Sequence, residues 1–76
     1  MSQRFNWDKV IKKEARGIDN CDLGEVQEVE RDGIVTQRGI LGKDKFYIPK
    51  NVVDGFDGRT LIFRIMNSEA EQYLQE

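Results

Sequence analysis

The chain has 76 residues, of which 34% are charged, and a formal net charge of −2. This length holds one domain, close to the size at which a single core supplies only about 3–5 kcal/mol of stability. The only cysteine, Cys21, excludes an internal disulfide and a cysteine-based zinc site. Since histidine is absent as well, the commonest general base is missing, and we expect no catalysis, no metal, no cofactor and no small-molecule substrate.

Residues 1–6 lack an apolar run of signal-peptide length, and no stretch approaches the roughly 18 apolar residues that a membrane span needs. A lone cysteine is typical of a reducing compartment. We therefore expect a cytoplasmic protein without membrane insertion.

The charges are arranged in blocks. Residues 1–17 carry five basic and two acidic side chains, a net charge of +3, whereas residues 18–32 carry one basic and six acidic side chains, a net charge of −5. Two oppositely charged faces would favour head-to-tail contacts or steer a charged partner. The alternative is that solvated strand faces simply differ in sign. The overall acidity counts against nucleic acid as the main ligand.

Residues 1–11 predict an N-terminal arm that leads into the domain. Phe5 and Trp7 stand among polar residues, and residues 8–11 fit one turn of helix or an irregular segment. Because tryptophan is enriched at interface hot spots, Phe5 and Trp7 are candidate anchors for a protein partner. The alternative is that both aromatic rings close one end of the core.

The first half of the chain predicts strands joined by turns. Residues 14–18 form a weak strand, residues 19–22 a turn, and residues 34–38 a further strand after the hairpin signal at residues 32–33. Between them, the apolar residues Leu23, Val26 and Val29 recur every third position, which suits a helix. Because Gly24 interrupts this run and the hairpin follows it, a strand with a bulge is favoured.

Residues 39–49 predict a link and then a central strand. Gly39 and Gly42 resemble a phosphate loop, but the following Lys-Ser or Lys-Thr pair is absent. In the strand of residues 45–49, Phe46 and Ile48 share one face, and Pro49 ends the pairing because it has no N–H.

The last part of the chain predicts a turn, a strand and a helix. Residues 50–55 fit a helical turn that stops at Gly55, residues 57–58 a tight turn, and residues 61–66 the most β-prone run. Ser68 and Glu71 fit a capping box that opens a helix over residues 67–76. The predicted core residues are Val26, Val29, Val35, Phe46, Ile48, Val53, Leu61, Phe63 and Ile65.

Taken in order, these motifs resemble the PRC-barrel family. The likeness spans residues 12–66 and rests on Leu23-Gly24-Glu25-Val26, on Phe46-Tyr47-Ile48-Pro49, and on Gly58-x-x-Leu61 before an apolar strand. The sequence departs from the family at Asn20, where a glycine is frequent, and at Arg16, where an aliphatic residue is frequent. The resemblance implies a small, highly curved antiparallel β-barrel of five or six strands with a short C-terminal α-helix.

The resemblance also implies a function without catalysis. Members occur in the reaction-centre H subunit, at the end of the ribosome-maturation factor RimM, and as small stand-alone archaeal proteins, some similar to cell-division adaptors. The expected partner is therefore a protein, including a second copy of the chain. RNA is the alternative, from the RimM likeness and the net charge of +3 over residues 33–66, where six basic face three acidic side chains.

Overall fold

A computed structural model describes residues 6–75 as one seven-stranded sheet with a short helix near the C-terminus, which confirms the mainly β prediction. The helix is α1 (Asn67–Ala70), and single 3₁₀ turns cover Trp7–Val10, Ile40–Gly42, Lys50–Val52 and Glu71–Tyr73. The strands are β1 (Glu14–Gly17), β2 (Asp22–Val29), β3 (Gly33–Arg38), β4 (Asp44–Pro49), β5 (Val53–Phe56), β6 (Thr60–Phe63) and β7 (Leu74–Gln75).

The strands follow the order β5-β6-β1-β2-β3-β4-β7 in the sheet. All pairings are antiparallel except that of β1 with β6, which is parallel, so the prediction of an antiparallel sheet is wrong at this pairing. Most of the chain separates β1 from β6, and no hairpin imposes an antiparallel direction on them. Seven strands are found instead of five or six. Within residues 6–75 no pairing joins β5 to β7, so the closed barrel stays a prediction.

Strand β2 is irregular on both of its edges, which explains the three-residue spacing of its apolar residues. Its register shifts against β1 and again against β3, and the strand with a bulge is confirmed. Leu23 and Val26 are both fully buried as a result. Gly24 has a φ of +93°, and a Cβ there would lie 2.1 Å from the carbonyl oxygen of Gln37, so this position requires glycine.

The core lies on the inner face of the sheet. Eight of the nine predicted core residues are buried, and Val29 is half-buried at the edge of the core. The sequence prediction missed several buried residues, because β3 is buried on both faces over its first four residues and the segment before β1 packs inward. The missed residues are Val10, Ala15, Leu23, Ile34, Thr36 and Ala70. Val10, within the predicted N-terminal arm, is fully buried and joins the core.

The first strand packs differently from an aliphatic strand. Ala15 is fully buried and Gly17 is buried, whereas Arg16 is half-buried and pairs with Glu14 on the outer face. The turn that follows is confirmed, and Asn20 adopts a φ of +70°, in the left-handed region that asparagine tolerates.

The C-terminal helix is shorter than predicted. It ends after four residues, and Leu74 and Gln75 instead pair with Phe46 and Lys45 of β4. The predicted capping box is wrong as well, because it is Glu69 whose Oε1 accepts the backbone N–H of Met66 at 2.8 Å. Pairing to β4 satisfies backbone groups that a helix of this length leaves open.

The predicted helical turn at residues 50–55 is also shorter. It ends at Val52, and Gly55 lies inside β5 instead of stopping a helix. The tight turn after β5 is confirmed, because Asp57 Oδ1 accepts the N–H groups of Arg59 and Thr60 at 2.8 Å each.

Candidate protein-binding surface

Exposed aliphatic side chains concentrate at one end of the sheet. The pairings Arg16 with Asp22, Gly17 with Phe63 and Arg38 with Asp44 bring the ends of β1, β3 and β6 together with the starts of β2 and β4. We call this region the loop end; it comprises the β1–β2 turn (residues 18–21), the β3–β4 loop (residues 39–43) and residues 64–70. Among residues 6–75 the exposed large hydrophobic residues are Ile18, Ile40, Leu41 and Met66, which all belong to the loop end, and Leu74.

The β3–β4 loop presents the most exposed of these side chains. Leu41 is 99% exposed and Ile40 is 87% exposed. Leu41 also has a φ of +62°, in the left-handed region that disfavours a residue with a branched side chain. The flanking Gly39 and Gly42 have φ values of +89° and +63°. The loop therefore holds two aliphatic residues in water on a backbone that costs free energy, and neither contributes to the core.

Hydrogen bonds between segments hold the loop end in one arrangement. The Arg38 guanidinium donates to the Asp22 carbonyl oxygen at 2.8 Å and to the Asp44 carboxylate at 3.2 and 3.0 Å. The N–H of Asn67 donates to Asp19 Oδ2 at 2.9 Å, which joins α1 to the β1–β2 turn. A surface fixed in this way loses little conformational entropy when it binds.

The pKa values of Asp19 and Cys21, in the β1–β2 turn, are shifted by the hydrogen bonds and burial of the loop end. The hydrogen bond from the Asn67 N–H, followed by that from the Cys21 side chain, lowers the pKa of Asp19 from its ordinary value of 3.8. Burial, with the neighbouring Asp19 carboxylate, raises the pKa of the Cys21 thiol from its ordinary value of 9.0. Cys21 is thus protonated at neutral pH, which makes it a poor nucleophile.

A groove of about 520 Å³ lies between α1 and β4, with Arg38 and Asp44, the two residues that flank the β3–β4 loop, on one side of it. Its apolar lining is Phe46, Ala70 and Leu74, and the Arg38 guanidinium covers the Phe46 ring at 4.9 Å from the ring centroid. Its polar lining includes the carboxylate of Glu71, which is exposed on the helical side. The volume falls within the range of about 300–1,000 Å³ typical of binding pockets.

The predicted anchors lie elsewhere or outside the described residues. Trp7 is half-buried, packs against the core, and has the Lys50 ammonium 4.7 Å from its ring centroid. The backbone N–H of Lys50 donates to the Asp32 carbonyl oxygen in the β2–β3 hairpin. Trp7 therefore lies on the side of the hairpin, at the opposite end of the sheet from Leu41. Phe5 lies outside residues 6–75. The anchor role of Phe5 and Trp7 stays a prediction.

The RNA alternative rests on six basic residues in residues 33–66, and three of them contact other groups of the domain. Arg38 pairs with Asp44, Arg64 donates to the carbonyl oxygens of Val53 and Asn51, and Lys50 covers Trp7. These cations are less available to phosphates than a solvated patch would be. The other three basic residues in residues 33–66 are Lys43, Lys45 and Arg59, all exposed.

Comparison with known proteins adds no family assignment: no family model matches the chain, and the search of curated proteins gives no significant match.

Over residues 6–75, no helix is long and apolar enough to cross a membrane. In the same part of the chain, no three cysteine or acidic side chains come close enough together to hold a metal ion.

The sequence prediction missed the loop end as a site. It treated residues 40–44 only as a link between strands, whereas the signal was present in the run Gly39-Ile40-Leu41-Gly42. Two large aliphatic residues between glycines have no period-2 or helical partner in the sequence. Such a pair in a loop has no core to join, and this indicates a contact outside the domain.

Proposed function

We propose that the protein is a non-catalytic adaptor that binds another protein chain through its loop end. The observation that carries this proposal is the exposure of Ile40 and Leu41 on a hydrogen-bonded loop with a left-handed backbone. Retaining that arrangement costs free energy in the isolated domain. A partner that covers the two side chains would offset this cost, because removing their apolar surface from water is favourable.

The sheet is proposed to curl into the small barrel of the PRC-barrel family. Support comes from the irregular pairings of β1–β2, β2–β3 and β5–β6, because such bulges bend and twist a sheet. The parallel pairing of β6 with β1 brings the last third of the chain back to the first strand. A small filled barrel offers its loops and edges for binding, which agrees with an adaptor.

The cellular setting proposed from the family resemblance is a cytoplasmic assembly, such as archaeal cell division or ribosome maturation. The absence of histidine from the sequence and the raised pKa of Cys21 favour binding over catalysis. RNA remains the second candidate because Lys43, Lys45 and Arg59 are exposed. A titration with ribosomal RNA at two salt concentrations separates the two, since phosphate contacts make affinity fall steeply with salt.

The proposal is tested by affinity capture from the source organism with three baits: the wild-type chain, Leu41→Asn and Arg31→Ser. Asparagine tolerates the left-handed backbone, so Leu41→Asn removes the apolar side chain and keeps the loop. Arg31 is exposed in the β2–β3 hairpin at the opposite end, so Arg31→Ser is the control. We expect a partner protein retained by the wild type and Arg31→Ser and lost by Leu41→Asn. Equal retention by all three baits would contradict the proposal.

A further inference from the structure

We infer that the partner of the loop end is a second copy of this chain, bound about a two-fold axis, with the Ile40-Leu41 tip of each copy seated in the other's groove between α1 and β4. This inference rests on the proposed function and identifies the partner. It follows from three features of the described residues: the position of the tip, the chemistry of the groove, and the charges beside each.

The tip and the groove are adjacent on the same end of the molecule. Arg38 and Asp44, which flank the β3–β4 loop, also line the groove, so the tip rises from one wall of it. When a projection and its receptor lie side by side, two copies can exchange projections reciprocally. The contact then closes as a dimer and does not propagate as a filament.

The groove offers an aliphatic tip one exposed apolar contact, Leu74, which is 38% exposed. Phe46 and Ala70 are buried at its base, and polar side chains supply the rest of its lining. Ile18 and Met66, at 55% and 50% exposure, add further apolar surface at the same end. Burying Ile40 and Leu41 in both copies removes four of the most exposed aliphatic side chains of the pair from water.

The charges complement each other across the proposed axis. Lys43 is exposed just after the tip, and Glu71 is exposed on the helical side of the groove. When the tip of one copy enters the groove of the other, Lys43 of each copy comes near Glu71 of its neighbour. This pairing of opposite charges fixes the orientation of the dimer.

The loop end is large enough for such a contact. A standard interface covers about 800 Å² on each partner. That area is roughly 15% of the 5230 Å² accessible surface, which one end of a molecule measuring 31 × 22 × 21 Å can supply.

The first test is sedimentation of the purified full chain, from about 1 µM to about 1 mM. The wild type should change from the 8.9 kDa monomer to a species of twice that mass. Leu41→Asn should raise the dimer dissociation constant about a hundredfold or more, because each substitution acts twice in a two-fold dimer. Arg31→Ser, at the opposite end, should leave it unchanged.

The second test exchanges the charges. Lys43→Glu alone and Glu71→Lys alone should each weaken self-association about tenfold, because each places like charges together twice. An equimolar mixture of the two variants should form a heterodimer about as strong as the wild type, since both pairs are then restored. Restoration of a dimer, and not of a longer polymer, supports the two-fold arrangement.

The outcomes separate this inference from the proposed function. A wild-type chain that stays monomeric at about 1 mM overturns the dimer. If the wild type captures a different protein, or lipid vesicles, and Leu41→Asn does not, the loop end binds that partner instead of a second copy. A dimer that Leu41→Asn does not weaken, or a variant mixture that fails to recover, overturns the assignment of this interface.

Discussion

Replacing Leu41 with asparagine should make the isolated domain more stable although it removes a large aliphatic residue. Leu41 is 99% exposed, so no packing within the domain is lost. Its φ of +62° lies in the region that costs an L-residue about 1–2 kcal/mol, and asparagine adopts that region more readily. We expect the free energy of unfolding to rise by about 0.5–1 kcal/mol, which raises the Tm by about 2–8 °C in a domain of this size.

The assay is urea denaturation at low protein concentration, with Ile40→Asn as the control. Ile40 is also exposed but lacks a positive φ, so its substitution should change stability by less than about 0.5 kcal/mol. At high concentration the order of wild type and Leu41→Asn should reverse, because dimerisation stabilises only the wild type. If Leu41→Asn is destabilised by about 1 kcal/mol in dilute solution, the side chain packs within the domain and the reasoning is refuted.

Three further predictions concern the fold. Ile48→Ala should cost about 2–5 kcal/mol because Ile48 is fully buried, and an unchanged denaturation midpoint would contradict its place in the core. Thr36→Val should stabilise by about 1 kcal/mol, because the buried Thr36 hydroxyl has no hydrogen-bond partner among residues 6–75; a loss of stability would show that it has one. Hydrogen bonds from Arg59 and Thr60 lower the pKa of Asp57 below 3.8, so its contribution to stability is present above that pH and lost as the pH falls. Asp57→Asn should therefore flatten acid destabilisation between about pH 5 and pH 2 in a urea titration, and an unchanged acid dependence would contradict the role of these hydrogen bonds.

The elements that depend on local sequence signals were predictable. Strands β2, β3 and β4 and their turns follow from the apolar patterns, from the Asp32-Gly33 signal and from Pro49, and each is found close to its predicted bounds. Even the bulge in β2 could be inferred, because Gly24 interrupted a spacing that no flat strand explains. The buried face of β4 was predictable for the same reason, since Phe46 and Ile48 alternate with exposed or half-buried neighbours.

The features that depend on pairing over long distances were not predictable. The parallel pairing of β1 with β6 joins residues 14–17 to residues 60–63, and no sequence signal sets the direction of such a pairing. Likewise, Leu74 was predicted on a helix because its spacing from Ala70 suits one. It instead pairs with Phe46 of β4, a partner that is distant in the sequence, and a helix this short is stable only through such tertiary contacts.

The candidate site escaped prediction because aromatic residues received more weight than aliphatic ones. Trp7 is a candidate anchor by residue type, with closure of one end of the core as the alternative; it is half-buried and packs against the core, whereas the Ile40-Leu41 pair lies in solvent. Exposure depends on whether the strands leave room for a side chain, and a loop residue cannot be placed inside or outside before the strands are paired. The blocks of opposite charge are compatible with head-to-tail contacts and with solvated strand faces, and neither reading locates a binding surface.

The most direct test of the central claim, that the loop end binds a second copy of the chain, is an NMR dilution series of the backbone amide signals. On raising the concentration of the wild-type chain, we expect shifts at residues 39–43 and 66–74 and none at residues 30–32 of the β2–β3 hairpin. Leu41→Asn should abolish the concentration dependence at both of the first two segments. Shifts centred on the hairpin, or shifts of equal size in Leu41→Asn, would contradict the account.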